Sequence, residues 1–162
     1  MSGGPRAFAY ERSVAPTMWV LVALAVAELL VVHLLVALLW SRAIALVLTL
    51  LTLAAIAGLV AFVRSFRRLP VLVDGERVVM RVGFKPPVEV AMAQVAAVRT
   101  DFSAADTKAA GVVNLALLAF PNVLVELRSP VVRGQRKRPV RAIAHRLDDP
   151  AGFRAALAPP RR

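Results

Sequence analysis

The sequence predicts an α-helical membrane hairpin followed by a mainly antiparallel β domain with one C-terminal helix. Three observations predict it. Two long apolar runs, 18–40 and 44–63, stand three residues apart. After Pro70 the apolar residues fall into short alternating runs broken by Gly and Pro. The last of these runs leads into "DDPAGFRAAL", a capped amphipathic segment.

Composition agrees with segregated anchor and domain. The 162-residue chain is 59% hydrophobic and still carries a formal net charge of +11, whereas a soluble domain is about 45–50% apolar. There is no cysteine, which excludes disulfides, thiolate metal sites and Cys nucleophiles. His33 and His145 are the two histidines, too few for a His-rich metal site.

An N-terminal cytoplasmic segment, 1–17, precedes the first helix. Residues 18–40, "MWVLVALAVAELLVVHLLVALLW", are interrupted only by Glu28 and His33. At about 1.5 Å per residue the run crosses a hydrocarbon core of about 30 Å. It is too long for the core of a cleaved signal peptide, and a second run follows at once. Residues 44–63, "IALVLTLLTLAAIAGLVAFV", reach as far. The short link "SRA" forces the two helices antiparallel. Trp19 and Trp40 bracket the first, where amphipathic rings favour headgroups.

The link carries Arg42 alone. Arg6 and Arg12 precede the first helix, and Arg64, Arg67 and Arg68 follow the second in a basic linker, 64–69. Residues 64–162 hold 18 Lys/Arg against 8 Asp/Glu, a net +10. The positive-inside rule then places both termini in the cytoplasm of a multi-pass cell-membrane protein. Within the bilayer a charge at Glu28 costs at least about 2.5–3.5 kcal/mol, so the side chain is protonated, paired, or turned toward another helix. His33 lies about 140° around the helix from Glu28. The pair reads as a polar contact that holds helices or subunits together, with a proton or ion relay as the other alternative. Ala23 with Ala27 and Ala54 with Gly58 are small-xxx-small pairs suited to close helix packing.

The cytoplasmic domain spans 70–158. "VLVDGERVVMRV" is a hairpin turning at Asp74-Gly75. "GFKPP" (83–87) breaks the chain. Residues 88–102 give a short strand, a tight turn near Ala93-Gln94 and a longer strand. Residues 103–121 are ambiguous: "SAADTKAAG" reads as a loop or a frayed turn, and "VVNLALLAF", apolar without clear period, as a strand or a helix packing on the membrane surface. "NVLVELRSP" (122–130) puts Val123, Val125 and Leu127 on one strand face, and "VRAIAHRL" (140–147) is its neighbour. Asp148 or Asp149 caps a final helix with Pro150 in its first turn and Phe153 and Leu157 at i, i+4. Residues 159–162 are a tail.

The segments "PVLVDGERVVMRVGF", "PVEVAMAQVAAVR", "PNVLVELRSPV" and "VRAIAHRLDDPAGFRAAL" resemble the bacterial pleckstrin-homology-like (PH-like) domains that follow a two-helix anchor. With the anchor, this resemblance covers most of the chain. It rests on element order and hydrophobic pattern. It implies a small bent antiparallel barrel or sandwich of about seven strands, closed at one end by the C-terminal helix. It implies no ligand.

No nucleophile elbow, Walker loop, zincin or dinucleotide motif is present, and the carboxylates are scattered. The expectation is a non-catalytic protein without cofactor or metal. Between two strands lies "VVRGQRKRPVR" (131–141), with Arg133, Arg136, Lys137, Arg138 and Arg141 around a turn at Gly134. Three readings compete: a solvated hairpin tip, contact with anionic lipid, or a partner protein. Each basic residue near an anionic surface adds about 1 kcal/mol. Nucleic acid is disfavoured, since no aromatic residue interleaves the charges to stack on bases. The sequence therefore points to a membrane-anchored binding or scaffolding module. It would engage anionic headgroups, a second copy, or other membrane proteins. The alternative is an accessory subunit of a transporter or enzyme complex, with Glu28 and the helical hairpin carrying the function.

Overall fold

The structure is a computed structural model that describes residues 4–12, 14–133 and 138–158; of Arg133 and Arg138 it describes only the backbone. Strand β1 (Arg6–Phe8) comes first. Two long helices follow, α1 (Ala15–Leu39) and α2 (Arg42–Arg68). Trp40 and Ser41 alone join them, because the Trp40 and Ser41 N–H groups both close back onto the Val36 carbonyl. Both helices are long and apolar enough to cross a membrane, with mean hydropathy 2.7. Only 6% of each apolar window is buried, whereas a core helix of a soluble protein would be covered.

The β domain follows as β2 (Val71–Val73), β3 (Arg77–Met80), β4 (Val88–Ala91), a 3-10 turn at Met92–Gln94, β5 (Val95–Arg99), α3 (Ala104–Lys108), β6 (Val112–Asn114), β7 (Val123–Arg133), β8 (Arg138–His145) and α4 (Pro150–Leu157). The strands form two four-stranded sheets, ordered β1-β2-β3-β4 and β5-β7-β8-β6. All neighbours are antiparallel except β6 and β8.

Local chemistry explains these elements. Asp74 Oδ1 accepts from the N–H groups of Glu76 and Arg77 at 2.9 and 2.7 Å, an Asx turn that closes the β2–β3 hairpin. Ser103 and Asp106 form a reciprocal capping box that starts α3. That box and the short β6 settle the 103–121 segment: one turn of helix, then a strand parallel to β8. In α4, Asp149 caps through the Gly152 N–H at 2.9 Å and Pro150 occupies the first turn.

Boundaries differ from expectation: α1 begins at Ala15 rather than 18, and α2 begins at Arg42 rather than 44. The basic linker 64–69 does not exist as a linker, because α2 continues unbroken to Arg68. The physical reason is apolar spacing. Leu59, Phe62, Val63 and Phe66 lie on one face of α2 and join the same core as both sheets, Phe153 and Leu157. The N-terminal segment is also part of the domain. Phe8, Tyr10 and Val14 are buried in that core, and β1 pairs with β2 through Arg6↔Val73 and Phe8↔Val71. The helical pair is thus inserted between two adjacent strands of one sheet.

Candidate functional site

A cleft of about 730 Å³ opens where the helices meet the β domain. Arg12, Arg64, Arg67 and Arg68 line it, with Glu11, Ala15, Pro16, Trp19 and Val63. The spacing of the α2 residues follows from the helix. Arg64, Arg67 and Arg68 are three and four apart, so they project from one side of its last turns. The rest of the turn carries Ser65 and Phe66 into the interior, with Val63 buried at the edge of the cleft. Arg12 is set by its backbone, whose N–H donates to Asp148 Oδ2 at 3.3 Å. Asp148 in turn donates its own N–H to the Ala9 carbonyl at 2.9 Å, which fastens the N-terminal segment beside the start of α4.

Four guanidinium groups therefore face one carboxylate. Glu11 pairs with Arg67 Nε at 3.1 Å. Arg64 and Arg68 are exposed and have no carboxylate partner among the described residues. Trp19, 46% exposed, stands on the helix side of the cleft. Fork-shaped donors around a roomy concave space suit a phosphate or carboxylate group. Among the described residues no group of three or more His, Cys, Asp or Glu is placed to hold a metal ion.

The cleft is held on a rigid frame. Tyr10 donates its hydroxyl proton to the Leu69 carbonyl at 3.2 Å and accepts the Gly83 N–H at 2.9 Å. Burial pushes the Tyr10 phenol pKa up, while the Gly83 N–H and the Arg81 charge pull it back. His145 is 1% exposed. The Arg81 carbonyl can only accept, so Nε2 carries the proton and donates it at 2.9 Å. Nδ1 accepts the Arg146 N–H at 2.8 Å. Burial pushes the His145 pKa down, while the Arg81 carbonyl at Nε2 and the Arg146 carbonyl, 3.0 Å from Nδ1, pull it back up. Both ring nitrogens are satisfied, so this histidine has a structural role.

Of the residues singled out in the sequence, Arg64, Arg67 and Arg68 are brought together. Arg141 is not among the residues lining the cleft. It lies on β8, its side chain against Gly111 (φ +84°), where an added Cβ would meet Arg141 Cγ at 3.2 Å. Arg133 and Arg138 face each other at the end of the β7–β8 ladder. Arg136, Lys137 and the expected turn at Gly134 lie outside the described residues. His33 Nδ1 contacts Thr49 Oγ1 of α2, and Thr49 gives its hydroxyl proton to the Ala45 carbonyl. His33 therefore joins the two helices. Glu28 is exposed.

Sequence reading counted Arg12 and Trp19 separately, one for orientation and one as a belt residue, and missed that they share a cleft with Arg64, Arg67 and Arg68. Tyr10 was missed altogether. The alternation of Phe8 and Tyr10 with Ala7 and Ala9 was its only signal. No protein-family model matches the chain, and no curated protein or solved structure matches it.

Proposed function

We propose that this chain is a membrane-anchored, non-catalytic binding and scaffolding module, and that its cleft takes the phosphate-bearing headgroup of an anionic lipid. The observation that carries this is the position of the cleft. It lies at the end of two apolar, uncovered helices, beside Trp19, with Arg12, Arg64, Arg67 and Arg68 around it. Trp19 and Trp40 are 21 residues apart, about 31 Å along a helix, which matches a hydrocarbon core of about 30 Å. If α1 spans that core, the cleft lies at headgroup depth.

Charge asymmetry supports a cytoplasmic domain. Arg6, Arg12, Arg64, Arg67 and Arg68 stand at the domain end of the helices, Arg42 alone at the far end. The β1–β2 pairing keeps residues 6–8 and 71–73 side by side, so the chain must enter and leave the helical pair on one side. A PH-like module accords with the order of two sheets and a closing C-terminal helix around one core. The chain adds a strand before the helices and a parallel β6–β8 pair. The basic stretch 131–141 is a second lipid-facing candidate in sequence.

The test uses the full chain, because a 70–158 fragment would lose β1, Tyr10 and Phe66 from the core. The protein is reconstituted in bilayers of mixed neutral and anionic lipid and re-extracted, and the retained lipid is counted by native mass spectrometry. Arg64→Ala/Arg68→Ala should lose most of the anionic lipid that the wild type retains. An Arg136→Ala/Lys137→Ala chain should keep it. Equal retention by the wild type and the Arg64/Arg68 variant would reject the cleft as the headgroup site.

A further inference from the structure

We infer that the helical pair associates with a second copy of the chain through α1, across Glu28; this rests on the reading that the helices cross a membrane. Glu28 lies near the middle of α1, at the depth where a polar group is least tolerated. The covered side of that helix runs through Met18, Val22, Ala25 and Leu29, and His33 joins Thr49 there. Glu28 points elsewhere. It is exposed and has no hydrogen-bond or ion-pair partner in its own chain among the described residues. The sequence left three outcomes open for this side chain, and α2 does not provide the pairing.

The same face carries bulky apolar side chains at three- and four-residue steps. Leu21, Leu24, Val31, Leu35 and Leu38 are 41%, 62%, 57%, 49% and 72% exposed. With Glu28 they complete the a/d spacing of a helix–helix seam. In so apolar a helix the leucines alone specify nothing. Glu28 is the group that selects a partner. A carboxylic acid both donates and accepts a hydrogen bond, so its chemistry is complementary to itself. In a parallel pair with a twofold axis along the membrane normal, each residue meets its own copy at the same depth. Two Glu28 side chains then face each other and form two O–H···O bonds. A different protein would have to offer a donor and an acceptor at that depth. A second copy does so by symmetry. One polar residue in such a seam also fixes register and oligomeric state.

The experiment measures energy transfer between labelled full-length chains in neutral bilayers, which removes any effect of anionic lipid. The protein has no cysteine, so one introduced at exposed Thr100 carries the dye. Wild type and Glu28→Gln, whose amide is also self-complementary, should pair as the protein-to-lipid ratio rises. Glu28→Leu should raise the dissociation constant about tenfold. Wild-type and Glu28→Leu chains that pair equally, or a Glu28→Gln chain as weak as Glu28→Leu, would overturn the inference. Alkaline carbonate extraction separates the two levels. A chain that stays in the membrane but pairs without regard to Glu28 sinks only the dimer. A chain stripped from the membrane overturns both readings.

Discussion

The rings of Tyr10 and His145 pack 5.2 Å apart, tilted by 60°, and both bond one short stretch of backbone. Tyr10 takes the Gly83 N–H and His145 donates to the Arg81 carbonyl. One residue precedes the helical pair and the other ends the last strand. Between them they hold residues 81–83, and the Phe66 ring of α2 lies 5.7 Å from that of Tyr10. The helix ends and the β domain therefore cannot move independently without breaking buried hydrogen bonds.

Tyr10→Phe should destabilise the domain by about 1–3 kcal/mol. The substitution keeps the ring but leaves the buried Gly83 N–H without its acceptor. Denaturant unfolding of the full chain in detergent checks this. An unchanged midpoint would show that the hydrogen bond between Tyr10 and Gly83 contributes nothing to stability.

Gly83→Ala should cost about 1–2 kcal/mol from backbone alone, since Gly83 has φ +54° and an L side chain is strained there. Contact adds to it: the new Cβ would fall on Phe62 of α2, within 3.0 Å of Ser65 Oγ. Thermal unfolding should show the loss, and Gly83→Ala should cost less in a Phe62→Ala background than in the wild type. Absence of any rescue would contradict the close approach of α2 to this turn.

Stability should fall as pH drops below about 6.5. His145 has a lowered pKa in the folded chain, and the unfolded histidine titrates near 6.5. Between these values the unfolded state binds more protons, so acid favours it. Above about 6.5 this contribution is complete and flat. Asp74 and Asp106 are held below the ordinary carboxylate value by backbone N–H groups, so their contribution is lost only in stronger acid. Unfolding midpoints measured from pH 5 to 8 test the window, and a profile flat below 6.5 would contradict it.

Much of the fold is legible in the sequence where one residue type has one mechanism. Asp74-Gly75 marked the β2–β3 turn, Asp148-Asp149 with Pro150 marked the start of α4, and the long apolar runs marked α1 and α2. The end of α2 was not legible. "RSFRR" reads as a charged exit because arginines usually sit in water, yet Ser65 and Phe66 between them are each 1% exposed. Their partners, Tyr10 and Gly83, are distant in sequence, and no local period reveals such contacts. β1 has three residues, too few for alternation to stand out, and it exists because β2 offers an edge. The cleft was hidden for the same reason, since Arg12 and Arg64 meet only after the helices return upon themselves.

Glu11→Gln should strengthen binding of anionic lipid. Glu11 now neutralises Arg67, and each basic residue near an anionic surface contributes about 1 kcal/mol. Lipid retention should rise, up to about fivefold in affinity. A fall would show that the Glu11–Arg67 pair shapes the cleft, and that its geometry outweighs its net charge.

The two tryptophans give the most direct test of the central claim, that the helices cross a bilayer with the cleft at its face. Trp19→Phe and Trp40→Phe each leave one fluorophore, at opposite ends of α1. In bilayers with quenchers at graded depths, both remaining tryptophans should be quenched most strongly near the headgroups and least at the bilayer centre. Maximal quenching of either at the centre, or no quenching of both, would contradict the account.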